Sequence, residues 1–151
     1  MDFLRVFVIA SLLVLGGASN ATPDSGATSP GDMAPVGSDL IVGTWAWTRQ
    51  SNRCTEVYRY YGDGTMAVIS GKEVTLGEYE IASQPNDAGR YKLIDTILVD
   101  HGGMDCGNSN VDNTGESATT YILFHESGNA HWSMYEPTGD IGFGPLFRIS
   151  K

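Results

Sequence analysis

An all-β domain, eight antiparallel strands in up-and-down order closed into a barrel, is what the sequence predicts, and three observations carry that prediction. Beyond Asp39, apolar and polar residues alternate over short runs bounded by Gly, Asn, Asp or Pro, and no run holds the 3.6-residue period of a helix. Two of those boundaries, Gly62-Asp63-Gly64 and Ser127-Gly128-Asn129, read as hairpin turns whose glycines supply the positive φ that tight reversals need. At the head of the domain, Trp45 and Trp47 fall on the same face of one strand, which marks a core or a ligand wall.

The first strand is expected at Asp39 to Thr48 (DLIVGTWAWT), with Ile41, Gly43, Trp45 and Trp47 on one face and Val42, Thr44, Ala46 and Thr48 on the other. Cys54 to Tyr61 and Thr65 to Ser70 form the first hairpin. In Glu73 to Ala82, Val74 and Leu76 share one parity and Tyr79 and Ile81 the other. A bulge at Gly77 would bring all four inward and leave Glu73, Glu78 and Glu80 in water. Arg90 to Asp100 follows, with Tyr91, Leu93, Ile97 and Val99 on the face that also carries Asp95. A long acidic loop, His101 to Gly115, precedes the second hairpin, Ala118 to Glu126 and Ala130 to Glu136. A Gly-rich bend then leads into Pro145 to Ser150. A β-sandwich of similar strand count is the alternative architecture.

Ahead of the domain, residues 1–21 read as a secretory signal peptide. Arg5 is the only basic side chain of a short n-region, Val6 to Leu15 is apolar, and small residues lead to a cut after Ala21, with Ala18 the other candidate. About 10 apolar residues fall short of the roughly 20 that span a bilayer, so no integral membrane segment is expected after cleavage. Residues 22–38, rich in Thr, Ser, Gly, Pro, Asp and Ala, read as a flexible linker to the domain at 39–151. A periplasmic or secreted location follows. It suits a disulfide between the two cysteines, Cys54 and Cys106, which requires Cα atoms within about 7 Å and would tie the acidic loop to the start of the second strand.

Eighteen acidic against nine basic residues give a net charge of −9, which opposes nucleic acid and anionic lipid as partners. Of the histidines His101, His125 and His131, the His125-Glu126 pair lacks the second histidine one helical turn on that a zinc helix needs. Asp105, Asn108, Asn110, Asp112, Asn113 and Glu116 are oxygen ligands of the kind calcium takes, but a glycine at the sixth loop position and a glutamate at the twelfth are missing. No nucleophile with a base and no cofactor fingerprint stands out, and a pairing such as Glu56 with Asp95 is easy to propose among so many acids. The expectation is a non-enzymatic protein without metal or cofactor.

Gly43 and Trp45 in the first strand, with Arg148 in the last, resemble the Gly-x-Trp and late arginine of the calycin barrels, namely lipocalins, fatty-acid-binding proteins and avidins. The resemblance implies that Trp45 packs across the closed end of the barrel against Arg148 as a structural pair. The chain departs from that group in lacking a Thr-Asp-Tyr motif, a helix after the barrel, a helical lid and the polar set of a biotin site. Its strands are also short, which favours a barrel filled by its own side chains.

The remaining aromatics divide between core and pocket wall, with Trp47, Tyr58, Tyr60, Tyr91 and Trp132 as candidate ligand-binding residues. Two functions are expected from this reading. One is an exported binding protein with a lipocalin-like barrel for a small, apolar ligand. The other is a protein-binding inhibitor or immunity protein, its acidic surface steering it onto a basic enzyme or toxin.

Overall fold

The computed structural model describes residues 37–151; the expected signal peptide, and the linker as far as residue 36, lie outside the described residues. The described chain is a closed barrel of eight antiparallel strands in the order β1-β2-β3-β4-β5-β6-β7-β8. The strands are β1 Gly43–Thr48, β2 Thr55–Tyr60, β3 Thr65–Ser70, β4 Glu73–Ile81, β5 Tyr91–Asp100, β6 Ser117–Phe124, β7 Ala130–Met134 and β8 Phe143–Ser150. Antiparallel closure pairs β1 with β8, which removes both sheet edges.

One correction concerns the start of the domain. Asp39 to Ile41 do not extend β1 but belong to a short helix, α1 Gly37–Ile41, with acidic Asp39 in its first turn. Gly43, at φ 133°, redirects the chain from helix into strand. The parity argument survives because Ile41, Gly43 and Trp45 are all buried. The helix plugs the lower end of the barrel. Trp45 donates its indole N–H to the Ile41 carbonyl at 2.7 Å, and the Arg148 guanidinium donates to the carbonyls of Leu40 and Val42. With its central carbon 4.1 Å from the centre of the Trp45 ring, Arg148 also stacks on the indole, so the expected pair across the closed end is present.

A second correction concerns the bulge. On β4, Leu76 and Gly77 are consecutive, yet they pair with Val99 and Ile97, so the extra residue is Leu98 on β5. Strand β4 therefore keeps its alternation: Glu73, Thr75, Gly77 and Tyr79 are buried while Leu76 is exposed. Val99, expected inside, is turned outward by the same bulge. Gly77 serves close approach, since a Cβ there would lie 2.1 Å from the Thr96 carbonyl oxygen.

The core fills the lower half. Ile41, Trp45, Tyr60, Met66, Tyr79, Leu93, Ile122 and Leu146 form one buried cluster, with Trp47, Tyr58 and Phe143 packed against it from above. Each large aromatic buried here removes an apolar surface from water worth a few kcal/mol, the main stabilising term of a small barrel.

Candidate functional site

The upper end carries the longest connection, residues 101–116. The 101–116 segment crosses the β3–β4 turn, where Lys72 donates its backbone N–H to Met104 and Cys106 donates its own to the Ser70 hydroxyl. Cys54 and Cys106 are disulfide-bonded with Cα atoms 5.5 Å apart, inside the range the bond requires. Asn52 adds a side-chain hydrogen bond to the Cys106 carbonyl at 2.7 Å. The loop is thus held against the ends of β2, β3 and β4, as expected of a pinned loop.

Several of its polar side chains bond within the loop or to the strand ends beside it. Asp105 accepts from the Ser109 N–H, Asn110 from Gly103, Asp112 from Thr114, and Asn113 bridges Asp100 and Glu73. Among the described residues no three of His, Cys, Asp and Glu are arranged to hold a metal. The β6–β7 hairpin sends its two histidines apart. His125 stays exposed, bonded to Ser127 and facing Trp132, whereas His131 is buried against Trp45, ring centres 4.5 Å apart.

Two cavities open at the mouth. The first, about 440 Å³, lies beneath the long loop and is lined by Met66, Asp95, Ile97, Val111, Asp112, Asn113, Glu116, Ser117 and Ala118. The second, about 270 Å³, is walled by Trp47, Arg49, Glu56, Tyr58, Tyr135, Gly142 and Phe143. Strand register explains the second wall: Trp47 pairs with Glu56 and Trp45 with Tyr58, so all four side chains point inward from adjacent strands. Phe143 stands 5.2 Å from Trp47 and 6.3 Å from Tyr58, ring centre to ring centre, and nearly parallel to the latter.

Polar groups meet inside this aromatic shell. Tyr58 donates its hydroxyl to Glu56 at 2.5 Å, and Tyr60 reaches Asp95 at 3.5 Å. Burial drives the Asp95 carboxyl up to about 7, the Tyr60 hydrogen bond working against that shift, and one of its oxygens is buried without a partner. Burial, then the charges of Glu56 and Asp95, raise the Tyr58 hydroxyl well above its usual range; burial and Asp95 do the same to Tyr60. Both tyrosines are therefore neutral donors at physiological pH.

The expected site residues are distributed unevenly. Trp47 and Tyr58 line the smaller cavity together. Tyr60 lies deeper, edge-on to Tyr79. Tyr91 is buried near the closed end beside Phe124. Trp132 pairs with Leu123 between inward-facing neighbours, which places it on the outer face of the barrel. Missed were Phe143 and Tyr135 as cavity walls and Arg49 at the rim. Phe143 was legible only as a residue of a Gly-rich bend, Tyr135 falls in the expected strand Ala130 to Glu136 but lies just beyond the end of β7, and Arg49 lies in a turn that alternation does not orient. Comparison with known proteins gives no match: no family model, no curated protein and no solved structure is significantly similar to the chain.

Proposed function

We propose that the protein is a non-enzymatic, exported binding protein that holds a small, largely apolar molecule at the mouth of a calycin-like barrel. The observation that carries this reading is the contrast between the two ends. The lower half is filled and plugged by α1, while the upper half keeps two open cavities, one of them walled by Trp47, Tyr58, Tyr135 and Phe143. The pinned loop supports it further, because a fixed rim preorganises a mouth and lowers the ordering cost of binding. Titration with Nile red, an uncharged apolar fluorophore, tests the reading. Saturable binding that quenches tryptophan emission and is weakened in Trp47→Ala is the expected result. Absence of saturable binding would contradict it.

A second reading, a protein-binding inhibitor, is favoured by one observation: the 101–116 loop, held rigid by its disulfide, carries Asp105, Asp112 and Glu116 at the same end. An acidic, preformed loop steers onto a basic partner. Salt-sensitive association with a basic exported hydrolase supports this reading, and association insensitive to salt opposes it.

A further inference from the structure

The smaller cavity holds two opposite charges that do not satisfy each other. Glu56 is only 9% exposed and accepts a single hydrogen bond, from Tyr58. Arg49, at the rim of the same cavity, places its guanidinium carbon 5.8 Å from the centre of the Trp47 ring. Among the described residues no ion pair joins Arg49 to Glu56 and no hydrogen bond occupies the Arg49 guanidinium, which stacks on Trp47 and borders the same space beside Gly107 as the Asp105 carboxylate. A largely buried carboxylate facing an open cavity favours a cationic partner there, and a guanidinium with open N–H donors is a ready bidentate donor to a carboxylate. Between the two charges the walls are aromatic, and such rings attract ammonium groups over their faces as well as apolar rings.

Resting on the small-molecule reading above, we infer that this cavity takes an amino-acid-like zwitterion with an apolar or aromatic side chain. Its ammonium group sits against Glu56 and Tyr58, its carboxylate against Arg49, and its side chain between Trp47 and Phe143. The volume, about 270 Å³, suits a ligand of single amino-acid size.

The test is a calorimetric series on the unmodified protein with L-phenylalanine, phenethylamine, 3-phenylpropionate and 2-phenylethanol, which present both charges, each charge alone, and neither. The expected order has phenylalanine tightest, with loss of either charged group costing about tenfold or more. In Glu56→Gln, which keeps an acceptor for Tyr58, phenylalanine and phenethylamine weaken while phenylpropionate is unaffected. In Arg49→Gln, phenylalanine and phenylpropionate weaken while phenethylamine is unaffected. Should the alcohol bind as tightly as phenylalanine, or should only Nile red bind, the zwitterion inference falls while the binding-protein reading stands. If neither Nile red nor any of the four binds, both fall. Because the ligand series needs no variant, a misfolded mutant leaves it decisive.

Discussion

Two buried titratable side chains pull the stability of this barrel in opposite directions with pH. Asp95 holds its proton up to about 7 when folded, against 3.8 ordinarily, so the folded state binds a proton that the unfolded chain has released. Its contribution is therefore greatest below about pH 4 and is lost as pH rises to about 7. His131 is the reverse case. Burial, helped by the nearby positive charge of Arg148, pushes its imidazole down to about 3 from 6.5, a weak contact with the Trp132 backbone working against the shift without forming a well-aligned hydrogen bond to either ring nitrogen. Its contribution is complete above about pH 6.5 and is lost as pH falls toward 3. Between about pH 4 and 6.5 the two slopes, each near 1.4 kcal/mol per pH unit, oppose one another. Urea unfolding across that range should give a curve for His131→Leu that falls with pH relative to the unmodified protein, and a curve for Asp95→Asn that rises. Parallel curves for all three proteins would contradict the assignment. At pH 8, Asp95→Asn should be the more stable by about 2–4 kcal/mol, since it removes a buried charge.

At the scale of single elements, β4 shows what the residues alone left open. Val74 and Leu76 differ in parity from Tyr79 and Ile81, and either an extra residue in β4 or an inward polar pair resolves the conflict. The fold adopts the second course because Glu73 finds a partner in Asn113 of the long loop, a contact that no local pattern announces. The bulge moves to β5, where Leu98 and Val99 are left exposed on the outer surface. Gly77 sits opposite that irregularity. Replacing it with alanine pushes a methyl group against the Thr96 carbonyl and should cost about 1–3 kcal/mol in chemical denaturation; an unchanged midpoint would refute the close approach. The β5–β6 loop depends on its covalent tie. Replacing Cys54 and Cys106 together by alanine removes a closure of 52 residues and should cost about 4 kcal/mol on the chain-entropy account. Amide exchange should then accelerate across residues 101–116 while the Trp45 to Arg148 end stays protected; uniform acceleration would mean that the bond holds the whole barrel rather than the loop.

For the molecule as a whole, the barrel was legible because it rests on local signals, turn glycines and alternation, and the Trp45–Arg148 pair followed from the calycin resemblance, whereas the helix α1 that plugs that end was read as strand. The mouth was less so. Trp47 and Tyr58 follow from strand parity, but Tyr135 and Arg49 come from connections, and Phe143 opens β8 two residues before the expected start of that strand, opposite Ser133 of β7. What the assembled molecule presents is one filled end and one aromatic, charged end, and the functional account stands on that asymmetry. The three tryptophans sample it at three places: Trp45 inside the closed end, Trp47 on the cavity wall, Trp132 outside. Indole N–H resonances in a nitrogen–proton correlation spectrum, followed during titration with L-phenylalanine or Nile red, therefore read the site directly. A saturable shift of the Trp47 signal with Trp45 and Trp132 unmoved is the predicted result; shifts confined to Trp132, or none at saturating ligand, would contradict a binding site at the mouth.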